Sequence, residues 1–195
     1  MATMIDWPAG EWLMTCHNQM TFTRNDSIAI PAGKAAILSR AGEYSDVYRE
    51  GDKPSLGARF LKKEDAVLYL FDLTPSAVIN WGFGGVQCGN RICGINGNLR
   101  FQIVSPRKFL NEYAAQLLPL TANALADLWI DEIGKSVRKY TGELSDSGFT
   151  DAQLPAEIAK KVTENLSEAM EAKGLSLYSI NIEPLFFLDS GGDNA

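Results

Sequence analysis

Apolar and polar residues alternate without interruption from Cys93 to Ile103. Cys93, Ile95, Gly97, Leu99, Phe101 and Ile103 fall on one parity, and Asn96, Asn98, Arg100 and Gln102 on the other. Asn96-Gly97 is by itself a strong hairpin signal. A two-residue hairpin there would set Ile95 opposite Asn98 and Cys93 opposite Arg100, pairing apolar with polar side chains on one face. The alternation runs through the dipeptide with no phase break, so it predicts one long strand in which Gly97 marks a bulge, a bend or a close backbone approach.

Upstream, short apolar or β-prone runs are separated by turn residues. Strands are predicted at 28–30 before Pro31-Ala32-Gly33, at 35–39, at 43–49 up to Glu50-Gly51-Asp52, at 66–73 up to Thr74-Pro75-Ser76, and at 77–81. The character changes at Ser105-Pro106, where Ser can cap a helix and Pro suits its first position. Phe109, Leu110, Tyr113 and Leu117 then recur at helical spacing. A second helix fits 122–140, with Leu125, Leu128, Ile133, Val137 and Tyr140 on one stripe and Asp127, Asp131, Lys135 and Arg138 largely opposite. A third carries Leu154, Ile158, Val162, Leu166 and Met170 and stops at Gly174. It starts either from a capping box of Thr150 and Gln153 or nearer Pro155. Residues 175–182 return to strand character. The predicted class is α+β: an antiparallel or mixed β-sheet in the N-terminal two-thirds, then about three helices and a closing strand. Residues 1–27 read as an N-terminal extension, 28–188 as one domain, and 189–195 as a disordered tail.

Composition narrows the function. With 46% hydrophobic and 22% charged residues, the chain of 195 residues has an ordinary globular make-up. Its formal net charge of −6 offers no basic excess for nucleic acid or for a polybasic contact with anionic lipid. Three cysteines, an odd count in a chain of this size, favour a reducing compartment. The N-terminal residues include Asp6 and Glu11, no basic residue before Arg24 and no apolar signal region. No apolar run approaches the ~18–20 residues that span a bilayer. The expected location is cytoplasmic.

Candidate chemistry is sparse. Cys88 and Cys93, with Cys16 and His17, form a nominal set of soft metal ligands. Adjacent residues seldom ligate one ion, however, and Cys93 falls on the apolar parity, where a small buried thiol is the usual outcome. Gly82, Gly84 and Gly85 lack the spacing of a dinucleotide or nucleoside-triphosphate loop and lead into a strand instead of a helix. His17 is the single histidine, and on a strand its neighbour Cys16 points the other way. Asp127 and Asp131 lie one helical turn apart, which a solvated face explains. Glu157–Lys161 and Lys160–Glu164 are expected surface pairs. No catalytic residue and no cofactor is assigned, and the residues read as a binding or assembly module. The runner-up is a small-molecule or metal-binding sensor built on the cysteines.

The order of local motifs resembles the band 7, or SPFH (stomatin–prohibitin–flotillin), domain, and is most similar to its short bacterial virion-core-protein-like branch. The matching residues are Ile5, Asp6, Trp7 and Pro8; Ile30, Pro31, Gly33, Lys34, Ala35, Ala36 and Ile37; Ser45, Asp46, Val47, Tyr48 and Gly51. They continue with Tyr69, Leu70 and Phe71, followed ten residues later by Trp81 and Gly82. Gly97, Phe101, Ile103, Pro106 and Phe109 then match a more specific block of the family, and Gly174, Leu177 and Ile180 its closing strand. Leu99 stands where the family usually has an aromatic residue, and Ser105 replaces its Asp. The resemblance implies that 28–188 is an SPFH-like domain. It further implies a non-enzymatic scaffold that self-associates and organises partners at or near the cytoplasmic face of a membrane. Its implied partners are further copies of the chain and a membrane protein encoded nearby, with peripheral membrane association. Trp7, Trp12, Phe186 and Phe187 are the candidate interface or membrane-contact groups; packing of these aromatics into the core is the alternative.

Overall fold

The computed structural model describes residues 6–20, 26–40, 42–54, 56, 66–74 and 77–188, the side chains of 18–20 excepted. These form an α+β fold of two antiparallel sheets and three helices. The chain clusters into two compact units, one drawn from 1–75, 102–122 and 173–175, the other from 76–101, 123–172 and 176–195.

Unit 1 holds β1 (Met14–Met20), β2 (Lys34–Arg40), β3 (Glu43–Tyr44), β4 (Tyr48–Arg49) and β5 (Ala66–Asp72), in the order β1-β5-β2-β3 with β4 also on β2. Ala35, Ala36, Ile37 and Leu38 are buried at both parities, as expected of a central strand covered on both faces. Trp12, Ile28, Ile30, Ala36, Leu38, Leu56, Leu68 and Leu70 form a core cluster against which Trp7 and Tyr48 pack. Ile28 and Ile30 join it from an irregular segment, where a strand was expected. The single strand expected at 43–49 is split into β3 and β4. Between them the Ser45 hydroxyl accepts the Leu38 N–H at 3.0 Å, taking a position that a ladder carbonyl would otherwise fill. The segment read as an N-terminal extension contributes β1, paired antiparallel with β5 from Met14↔Phe71 to Met20↔Ala66, and buries Trp12, Leu13 and Met14. The tail at 189–195 lies outside the described residues.

The helix α1 (Pro106–Tyr113) packs against β2 and buries Pro106, Phe109, Leu110 and Tyr113. Pro106 occupies the first turn, but Ser105 at the N-cap makes no side-chain capping bond. The helix ends before Leu117, which is 92% exposed and does not join its stripe. Gly174 closes over the start of α1: with φ +83°, a Cβ there would lie 2.5 Å from Ser105 O and 2.8 Å from Phe109 N. Only glycine meets both conditions.

Unit 2 is built on β6 (Ala77–Cys88), β7 (Arg91–Ile103), β8 (Leu175–Ile182) and β9 (Phe186–Phe187), in the order β6-β7-β8 with β9 also on β7. The uninterrupted β7 has the predicted parity: Cys93, Ile95, Gly97, Leu99, Phe101 and Ile103 are all buried. The hairpin turn lies upstream, at Gly89-Asn90 between β6 and β7. The strand expected at 77–81 runs on to Cys88, with an irregularity between Phe83 and Val86 at Gly84 and Gly85. Gly97 marks a close approach, since a Cβ there would meet Asn181 of β8 and the Trp81 ring across β6.

The helix α2 (Ala122–Ser145) buries Leu125, Trp129, Ile133 and Val137, four apart throughout, while Leu128 is 44% exposed and off the stripe. The helix α3 (Leu154–Ala172) buries the five predicted residues from Leu154 to Met170. Both of its start cues operate. Gln153 Oε1 accepts the Thr150 N–H at 3.0 Å, and Pro155 sits in the first turn.

Candidate functional site

The β6–β7 hairpin brings the sequence-nominated thiols together. Register pairs Val86 with Cys93 and Cys88 with Arg91, so Cys88 and Cys93 are diagonal neighbours on the buried face. Their side chains hydrogen-bond to each other, and both are free thiols. Burial, then the charge and hydrogen bond of Cys88, push the Cys93 thiol up to about 11. Burial also raises Cys88, against the lowering effect of Arg91. Both are therefore protonated at neutral pH, the state that neither ligates metal nor attacks electrophiles.

Cys16 and His17 stand on β1 in unit 1, opposite Tyr69 and Leu68. Burial raises the Cys16 thiol as well. His17 Nε2 is buried with no hydrogen-bond partner among the described residues. Among those residues, no group of three or more His, Cys, Asp or Glu side chains is placed to hold a metal ion. Asp127 and Asp131 lie on the exposed side of α2.

The aromatic candidates separate. Trp7 and Trp12 stack at 6.1 Å between centroids and 9° between planes. Trp12 is 8% exposed, and its indole N–H donates to Pro8 O, while that of Trp7 donates to Ala29 O at 2.8 Å. Both indoles thus pack and donate within unit 1, with Trp12 in the core cluster and Trp7 partly buried against it. Phe187 is half-buried under the Arg91 guanidinium, 3.5 Å above its ring. Arg91 in turn grips Asp151 bidentately, at 2.5 and 3.0 Å, and this hydrogen bonding holds the Asp151 carboxyl below its usual range.

Phe186 is different. It pairs with Gly94 on the outer face of the sheet, and the Leu188 N–H bonds to Ile92 O at 2.9 Å. Phe186 and Leu188 are each 61% exposed and Ile92 46%, so three large apolar groups gather at one corner of the sheet with only a glycine between them. Sequence reasoning had named Phe186 but missed Ile92 and Leu188. The signal was present: Ile92 is a large apolar residue on the otherwise polar parity of β7.

Neither the family models nor the curated proteins compared with this chain give a match. Function therefore rests on the chain's own surfaces. No helix among the described residues is long and apolar enough to cross a membrane.

Proposed function

We propose that the chain is a non-enzymatic scaffold of the band 7 type that self-associates and organises partners at the cytoplasmic face of a membrane. The observation that carries this reading is the exposed apolar corner of Ile92, Phe186 and Leu188. Contiguous apolar surface left in water is costly, and it commonly marks an interface. The ordered motifs from Trp7 to Ile180 support the family assignment. With a net charge of −6, attachment to a membrane would use apolar contact or a recruited membrane protein rather than a basic patch.

The test is the double variant Phe186→Ser, Leu188→Ser. Both side chains are exposed, so folding should survive, while the share of the protein recovered with membranes from cell lysates should fall. Unchanged membrane recovery of the folded variant would contradict the proposed role of this corner.

A second reading, a cysteine-based sensor, draws on the Cys88–Cys93 hydrogen bond. Burial and the protonated state of both thiols weigh against it. Stoichiometric metal in protein purified without chelator, lost in Cys88→Ser with Cys93→Ser, would favour it over the scaffold reading.

A further inference from the structure

A second surface in unit 2 has a different chemistry. Among the described residues β8 has one neighbour, β7, so its other side ends the sheet. The Glu183 N–H donates to Asn96 O at 3.0 Å, which identifies the groups that face β7. At the other end Gly174 O, on the opposite parity, accepts the Val104 and Ser105 N–H groups, so alternation is interrupted within β8 and its open side belongs to the segment as a whole. Natural edge strands are usually blunted by Lys, Pro, bulges or very short length. β8 is eight residues long, LSLYSINI, and contains neither charge nor proline.

A groove of about 570 Å³ follows this edge. It is lined by the five consecutive residues 178–182 and, from α3, by Ala156, Ala159, Lys160 and Thr163 among others. Consecutive strand residues alternate faces, so a groove that meets all five runs along the edge and not over one face. The small side chains of α3 leave room above it. Lys160 is the one charged side chain in the lining. Its expected i,i+4 partner Glu164 is taken by Lys161 at 3.2 Å, and among the described residues Lys160 makes no ion pair.

We propose that this groove docks an extended peptide segment bearing a carboxylate. The segment adds to β8 as a further strand through the outward backbone groups of residues 178–182, with its acid against Lys160. Strand addition supplies the main-chain hydrogen bonds, and the small-residue flank of α3 accommodates alternate side chains. A second copy pairing β8 to β8 fits less well, because the nearest acid, Glu183, already accepts the Asn96 Nδ2–H at 2.5 Å. The inference goes beyond the scaffold reading and does not depend on it: failure of peptide binding would leave self-association untouched, and the reverse also holds.

The experiment titrates the isotope-labelled full chain with two acetylated pentapeptide amides, Val-Glu-Val-Glu-Val and Val-Lys-Val-Lys-Val. Millimolar acidic peptide should slow amide exchange within residues 178–182 and bind roughly fivefold tighter than the basic one, the scale of a partly exposed ion pair. The exposed change Lys160→Glu should reverse that preference. No slowing anywhere in residues 178–182, or equal affinity for the two peptides, overturns the proposal. So does slowing that needs no peptide and grows with protein concentration, which would assign the edge to a second copy.

Discussion

Replacing Gly97 with Ala tests the packing of unit 2 at its tightest point. The backbone there is ordinary β, so conformational preference alone would make alanine more stable by about 0.5–1 kcal/mol. The surroundings oppose it. An added Cβ would lie 2.8 Å from Trp81 Cζ2 and 3.2 Å from Asn181 C, and closer still to the Asn181 carbonyl oxygen. A comfortable carbon–oxygen approach is about 3.3–3.6 Å. The indole could tilt away, but the carbonyl moves only if β8 shifts off β7. Overpacking of this kind costs about 1–3 kcal/mol, and each ladder bond weakened adds about 1 kcal/mol. After subtracting the backbone gain, Gly97→Ala should lose about 3 kcal/mol. In urea unfolding followed by circular dichroism, with a slope of about 2 kcal/mol/M, the midpoint should fall by about 1.5 M at unchanged slope. A midpoint equal to or above that of the parent protein would refute the β8–β7 approach at Gly97.

Gly142 gives the opposite sign. It lies inside α2 with nothing among the described residues within 4 Å of an added Cβ, so Gly142→Ala should stabilise by about 0.5–1 kcal/mol, read as a higher thermal midpoint; a lower one would place something against that face. Asp72 should make stability acid-sensitive. Burial alone would raise its carboxyl, but hydrogen bonds from Lys34 and Thr74 and the Lys34 charge outweigh burial and lower it. The stabilisation is therefore complete above the unfolded-state value near ~3.9 and is lost as pH falls through the lower folded value. Asp72→Asn should cost about 1–2 kcal/mol at neutral pH, with the gap closing in acid, whereas a pH-independent gap contradicts the assignment. Cys88 and Cys93 should resist a thiol reagent at about pH 8 until the protein unfolds, and rapid labelling of both in the native state would contradict their burial.

The elements that could be read from sequence were those whose signal is local and unbroken. The alternation of β7 and the four-residue spacing from Leu154 to Met170 each state a face directly, and burial follows both. β6 was legible only as far as Trp81, because Gly82, Gly84 and Gly85 carry no side chain to reveal parity and the irregularity after Phe83 resets it. In α2, Leu128 competed with Trp129 for the stripe. The true row, Leu125–Trp129–Ile133–Val137, emerges once strict four-residue spacing is required of an amphipathic stripe.

At the candidate sites, the Cys88–Cys93 contact depended on placing the turn at Gly89-Asn90, whose local signal is weaker than that of Asn96-Gly97. The apolar corner depended on β9 returning beside β7, which pairs residues some 90 positions apart and leaves no trace in the composition of either segment. For Trp7 and Trp12 the sequence leaves contact and core packing both open; pairing of β1 with β5 draws the adjoining segment in, so that Trp12 joins the core cluster and Trp7 packs against it.

Self-association is read from mass against concentration. Sedimentation equilibrium of the full chain, from nanomolar to high micromolar, should give a mass that rises to several times that of one chain. In Phe186→Ser with Leu188→Ser it should stay near a single chain. A parent protein that keeps the mass of one chain throughout that range would contradict the scaffold account.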